Sequence, residues 1–228
     1  MKTQKELVDY LYSLGYIKSK KIYDAFCKLD RVNFIPKEIQ PHAYLDSPLL
    51  IQDGQTISAP HMHALVIEEL ELNDCECKKG KEYKILEIGT GSAYLTALLS
   101  TLCPNATIFS LENSKKLIYF GFENLKKLGF RVNLFINTDF VAQEGSINLI
   151  LKSGYFGLEE FAPFDRIVAG ACYPTFPEFL IDQLKPNSVA IFPVSLEDNF
   201  QHLIKIKKIS NKIVKTDLGL VSFVPMQL

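Results

Sequence analysis

Lys84-Ile-Leu-Glu-Ile-Gly-Thr-Gly-Ser-Ala-Tyr-Leu-Thr-Ala-Leu-Leu-Ser-Thr-Leu102 is the stretch on which the fold turns. Lys84 to Ile88 has the short apolar texture of a strand, Gly89 to Gly91 makes a tight turn, and Tyr94 to Leu102 reads as a helix. The chain then repeats this alternation. Ala106-Thr-Ile-Phe-Ser-Leu111 is the next strand and Lys115 to Leu128 the next helix. Val132 to Asn137 and Ile147 to Leu151 both look like strands, and their pattern does not say which joins the main sheet. Arg166 to Ala169 is a strand, Pro177 to Leu184 a helix and Val189 to Val194 a strand. From His202, two or three antiparallel strands run to Val224-Pro225. Strands alternating with helices predict an α/β fold, doubly wound on a mostly parallel sheet and closed by antiparallel C-terminal strands.

Upstream the texture is helical. Thr3-x-x-Glu6 opens an amphipathic helix as a capping box, with Leu7, Leu11 and Leu14 on one face. A second helix starts near Ser19 and carries Ile22, Phe26 and Leu29. Pro36 and Pro41 break that pattern, and a loop runs through Asp46-Ser-Pro48 to Asp53-Gly54. A third helix begins at Ser58-Ala-Pro60, with Met62, Leu65, Val66 and Leu70 apolar, and Asn73 to Lys84 is a charged connection. One domain over 1–228 is expected: a helical segment at 1–80, an α/β core at 81–195 and the C-terminal strands at 196–228.

The 228 residues suffice for one buried core and are short for two full domains. Lys+Arg 25 against Asp+Glu 26 leaves a net charge of −1, which excludes the broad basic field of a non-specific nucleic-acid binder. No apolar run approaches a membrane span and no signal peptide opens the chain, so a soluble, cytoplasmic protein is expected. Five cysteines are too few, and odd in number, for a disulfide scaffold. Reduced thiols are the expectation: Cys75-x-Cys77 in a solvated loop, not a zinc site, and Cys172 as a small core residue.

The glycine turn suggests a ligand. Gly89 and Gly91 permit close backbone approach, and the helix N-terminus beyond them offers N–H groups. A dinucleotide fingerprint would place Gly or Ala three residues after Gly91, where Tyr94 stands, so that reading fails. Glu-x-Gly-x-Gly instead resembles the first motif of S-adenosylmethionine-dependent methyltransferases. Glu112, 21 residues beyond Gly91, offers a carboxylate for both ribose hydroxyls. The plain alternative is a βα turn and a strand cap. Further upstream, Ser58 reads as a helix N-cap. His61 and His63, two apart on a helix, point in different directions and make no metal pair.

Thr56-Ile-Ser-Ala-Pro-His-Met-His63 resembles the signature of the protein-L-isoaspartate O-methyltransferase family. Asp46-Ser-Pro48, Leu86 to Ala93, Ala162-Pro-Phe-Asp165, Leu180 to Pro186, Ile191-Phe-Pro-Val194 and Val224-Pro225 follow in family order. The resemblance implies transfer of a methyl group from S-adenosylmethionine to the carboxylate of L-isoaspartyl residues in damaged proteins and peptides, leaving S-adenosylhomocysteine and starting repair through a succinimide. It makes Ser58 the active-site residue. It sets Thr56, Ile57, Ser58 and His63 beside the cofactor, Gly89 and Gly91 in its binding turn, Glu87 and Ser92 near its methionine end, and Glu112 and Asn113 at ribose and adenine. Ala59, Pro60, His61, Val221 and Val224 become peptide contacts, with helix and strand packing the equally plain alternative. No metal, nucleic-acid or membrane partner is implied, and a monomer is expected.

Two departures stand out. Ala93 replaces the motif's third glycine, and Lys152-Ser153-Gly154 stands where the family has Gly-Asp-Gly, so Ser153 offers adenine a hydrogen bond without charge. They keep open a second reading, a methyltransferase fold retained as a binding module without turnover. A third is a methyltransferase for another carboxylate. Phe130 to Ser146 is longer than the family's connection. Ser58 is expected to orient the carboxylate, helped by N–H groups at the start of its helix, and not to act as a covalent nucleophile.

Overall fold

The structure is a computed structural model that describes residues 1–72, 75, 82–137, 141–196, 200–210 and 212–227. Its N-terminal helices follow local capping chemistry. α1 (Gln4–Ser13) starts at Thr3, whose hydroxyl accepts the Glu6 N–H. The Glu6 carboxylate reaches back to the Lys2 N–H, one residue before its capping-box target. Leu7, Val8 and Leu11 are buried, whereas Leu14 lies past the helix end and is exposed. α2 (Lys20–Lys28) is capped by the Ser19 hydroxyl and buries Ile22, Ala25 and Phe26.

The stretch expected to be a loop carries short regular pieces. Two 3-10 turns cover Arg31–Phe34 and Lys37–His42, the second accommodating Pro41. β1 (Leu49–Leu50) pairs antiparallel with β2 (Thr56–Ile57) in a hairpin two residues wide, too short for any hydrophobic period to announce. α3 (Pro60–Glu69) follows. It buries His63, Ala64, Val66 and Ile67, while Met62 and Leu65 are half-buried, so its core face is rotated from the expected one. Both ends of α3 are tied to other elements. The Asp46 carboxylate accepts the His61 N–H at 2.9 Å. At the other end Arg166 donates to the Leu70 carbonyl at 2.6 Å and the Glu71 carbonyl at 2.7 Å, satisfying carbonyls that a helix end leaves unpaired.

From β3 (Lys84–Ile88) the expected alternation holds: α4 (Tyr94–Leu102), β4 (Thr107–Glu112), α5 (Lys115–Lys127), β5 (Val132–Phe135), β6 (Ile147–Leu151), β7 (Phe164–Ala169), α6 (Glu178–Asp182), β8 (Leu184–Ser195), β9 (Gln201–Ile209) and β10 (Lys212–Val221). They make one eight-stranded sheet in the order β10-β9-β8-β7-β3-β4-β6-β5. Both undecided runs belong to it: β6 pairs parallel with β4, and β5 pairs parallel with β6 at the edge. Residues 138–140, inside the connection expected to be long, lie outside the described residues. β8 pairs parallel with β7, and β9 and β10 add antiparallel beyond it. Lys205 on β9 reaches Glu69 and Glu71, and Lys207 reaches Glu71, fastening the end of α3 across the sheet. Strands β3 and β4 are buried along nearly their whole length, as a sheet covered on both faces requires.

The reduced-thiol expectation is corrected. Cys75 and Cys103 form a disulfide across 28 residues, joining the α3–β3 connection to the end of α4. Sequence spacing carries no signal for such a pair, because it depends on where two loops meet in space. Cys77 lies outside the described residues, and Cys172 is buried and free.

Candidate active site

The site sits at the carboxyl ends of β3, β4 and β7, where an open parallel sheet places its ligands. The turn after β3 is built by hydrogen bonds inside the protein. Gly89 and Thr90 donate their N–H groups to the Leu111 carbonyl at 2.8 and 3.1 Å, and Ala93 donates to Thr90. Gly91 N–H is taken by Glu112 Oε2 at 2.9 Å. Little of the expected N–H cluster therefore remains for an anion, which suits a nucleoside and not a pyrophosphate. Gly89 holds φ +94° and Gly91 φ +52°, conformations that favour glycine; Ala93 holds φ +64° at the helix cap. Tyr94, the residue that breaks the dinucleotide fingerprint, is buried beneath the site, where His63 and Phe34 meet its ring edge-to-face at 5.1 Å.

Three lobes join into one cleft. The first is lined by Gln55, Thr56, Gly89, Gly91, Glu112, Asn113, Gly154 and the tail residues Val224–Gln227. Glu112 is locked at its mouth, with Oε1 accepting the Ser114 N–H at 3.0 Å, and each oxygen keeps a further lone pair for a ligand. A Cβ at Gly154 would stand 2.5 Å from Ile88 Cγ2, so only glycine lets β6's end approach β3 there. Ser153 sits at the rim. Its hydroxyl donates to the Gln227 carbonyl at 3.4 Å, and the Asn113 amide reaches the Gln227 side chain at 3.3 Å.

The second lobe lies deeper, between Thr56, Ile57, Ser58, His63, Glu87, Gly89, Gly91, Ser92 and Phe223. Glu87 is fully buried. Its Oε2 accepts Thr96 Oγ1 at 2.5 Å and Ser110 Oγ at 2.6 Å, and its Oε1 has no partner. Burial pushes its carboxyl up to about 7, against the pull of those two hydroxyls. His63 is driven the opposite way, to about 3, by burial and then by the nearby Arg31 guanidinium. Its Nδ1 also lacks a partner.

The third lobe is an open groove between Ser58, Ala59, His61 and Met62 on one side and Leu220 to Val224 on the other. Ser58, Thr56 and Gly170 line both this groove and the second lobe. The N-cap reading of Ser58 is corrected: Ala59 occupies the cap position, with no side-chain cap bond. No hydrogen bond among the described residues engages the Ser58 hydroxyl, which leaves it to the cleft. The expected N–H groups at the helix start are also spent. Pro60 has none, His61 donates to Asp46, and Met62 and His63 donate to Ala59. Pro60 itself is buried behind the groove and is absent from its lining.

Phe223, Met226 and Gln227 escaped sequence reading. They reach the cleft because Cys172 pairs with Val224 and Met226, and Gln201 with Phe223. No local pattern marks a tail that folds back over a distant strand end.

The family model described as Protein-L-isoaspartate(D-aspartate) O-methyltransferase matches residues 2–227. The chain belongs to this family. Among curated members, the protein-L-isoaspartate O-methyltransferase of Fervidobacterium nodosum is 40% identical over 213 residues, covering 93% of this chain and 96% of its own. That of Methanococcus aeolicus is 35% identical over 227 residues, covering 99% and 94%. A crystal structure of a protein-L-isoaspartate O-methyltransferase from Plasmodium falciparum, in complex with S-adenosyl-L-homocysteine, aligns with a TM-score of 0.80 and 31% identity over 100% of this chain and 99% of that one.

Proposed function

We propose that Ser58 aligns the carboxylate of an L-isoaspartyl residue at the junction of the peptide groove and the cofactor lobes. The reaction is that of the family: this protein is a methyltransferase that uses S-adenosylmethionine to methylate isoaspartyl carboxylates in damaged proteins and peptides. The observation that carries the alignment role is that Ser58 lines both the outer groove and the Glu87 lobe, with its hydroxyl unengaged.

The residues present fit the cofactor. Glu112 and Asn113 would hold the ribose and adenine, with Gly154 giving the ring room beside Ile88 and Ser153 contributing one uncharged hydrogen bond at the rim. Thr56, Ile57, His63 and Ser92 would enclose the methionine end, where the unpartnered Glu87 oxygen suits an ammonium group. When bound, S-adenosylmethionine supplies an electrophilic methyl group on a sulfonium. His63, kept neutral by burial, adds no positive charge beside that cation.

A peptide carboxylate is already ionised at pH 7, so the protein has no proton to remove. Its work is orientation, worth about 7–11 kcal/mol when reactants are held in attack geometry. Ser58 donates a hydrogen bond to the carboxylate, and Ala59 and His61 with Val221 and Val224 flank an extended peptide. The adjacent backbone nitrogen later attacks the methyl ester's carbonyl and gives up its proton as methanol leaves, and the resulting succinimide hydrolyses in part to aspartate, without help from these residues. We read the protein as a monomer of the cytoplasm; the Cys75–Cys103 disulfide is the observation that counts against that compartment.

A tritiated-methyl transfer assay with an isoaspartyl peptide and its aspartyl twin tests the function. Label is expected in the isoaspartyl peptide alone; label in neither overturns the activity, and label in both overturns the specificity. Ser58→Ala is expected to lower kcat at least tenfold, with no methyl adduct on the wild-type serine by mass spectrometry.

A further inference from the structure

Of the described residues lining the peptide groove, His61 alone has a titratable side chain. Its ring is held. Asp46 Oδ1 lies 2.9 Å from His61 Nδ1, and the same oxygen accepts the His61 backbone N–H at 2.9 Å. The Tyr16 ring packs against the imidazole at a centroid distance of 5.3 Å. Asp46 is anchored in turn, because the buried Arg31 guanidinium donates to the neighbouring Ser47 carbonyl at 3.4 Å. An ionised carboxylate can only accept, so the hydrogen between the two side chains belongs to Nδ1. A neutral imidazole with its hydrogen on Nδ1 has Nε2 as an acceptor. The other polar side chains of the groove's described lining are the hydroxyls of Thr56, Ser58 and Ser222. An extended peptide entering it gives up water from backbone N–H groups, each of which needs a partner.

We propose that Asp46 is a positioning residue: by holding the hydrogen on Nδ1, it makes His61 Nε2 a fixed acceptor for one backbone N–H of the peptide that carries the isoaspartyl residue. This rests on the reading of the groove as the peptide site. Such a contact is blind to side chains, which suits an enzyme that must meet the lesion in many sequences. It also gives the Asp46 carboxylate two duties on one oxygen, setting the start of α3 and the tautomer of its second residue.

The test uses isoaspartyl peptides N-methylated at one position at a time, with KM and kcat measured separately. In the wild type, one position is expected to raise KM about tenfold, the weight of one hydrogen bond. In His61→Phe that penalty disappears while the others remain. Asp46→Asn keeps one oxygen that can accept both the His61 N–H and the Nδ1 hydrogen, so the penalty is expected to survive in it. Asp46→Ala frees the ring and is expected to raise peptide KM about tenfold and abolish the same penalty, with S-adenosylhomocysteine affinity nearly unchanged. Identical N-methyl penalties in wild type and His61→Phe at every position overturn the acceptor role. Val221→Asp separates the two readings. A raised peptide KM there, beside identical penalties, leaves the groove standing without the acceptor; an unchanged KM overturns the groove reading itself.

Discussion

Glu87 and His63 line the same lobe, and burial moves their protonation equilibria in opposite directions. Glu87 keeps its proton in the folded protein up to about pH 7, whereas an unfolded glutamate loses it near 4.5. Its contribution to stability is therefore complete below pH 4.5 and is lost as pH rises through 7. His63, depressed to about 3 from 6.5, contributes fully above pH 6.5 and loses its contribution as pH falls towards 3. Glu87→Gln removes the first slope and leaves the second. Thermal melts are expected to show the variant gaining on the wild type between pH 5 and pH 8, by an amount on the order of 3 kcal/mol at most. A difference independent of pH would show that Glu87 is ionised in the folded apoprotein. A cofactor ammonium beside that carboxyl would favour its charged form.

At the scale of elements, the site depends on how α3 and α4 are held. α3 is tied by Asp46 at one end and by Arg166 at the other, so the segment leading from Ser58 is fixed without a local cap. α4 is fastened at its end by the Cys75–Cys103 disulfide. Closing a loop of 28 residues restricts the unfolded chain by about 3–4 kcal/mol on the chain-entropy account. Cys103→Ser is expected to lower the melting temperature, and a reducing agent to lower the wild type's to a similar level while leaving the variant's in place. An equal response of both proteins to reductant would mean that the bond does not form. Capping shows what local sequence reaches: Thr3 caps its helix as expected and Ser19 caps the helix expected to start near it, because the partner N–H lies three residues away. Ser58 does not, because a carboxylate from the preceding loop reaches the helix first.

Over the whole molecule, the first lobe draws on the β2 hairpin, the β3 and β4 ends, the glycine after β6 and the C-terminal tail. A ligand that touches all of these favours the folded state alone. S-adenosylhomocysteine at about 100 times its Kd is expected to add about 2.7 kcal/mol, or roughly 5–10 °C in melting temperature for a chain of this size. A smaller rise in a variant truncated after Val224 would show that the tail contributes to that lobe.

The α/β alternation, the glycine turn, Glu112 and the Ser58 segment were all legible from residue order, since strand and helix periods, turn glycines and a short signature are local properties. The pairing of Cys75 with Cys103, the capture of His61 by Asp46, the return of Phe223 to Gln227 over the cleft and the place of β5 at the sheet edge were not. Each joins residues far apart along the chain, and what unites them is the packing of the folded core, in which a hydrogen bond or disulfide forms wherever two surfaces bring complementary groups within reach.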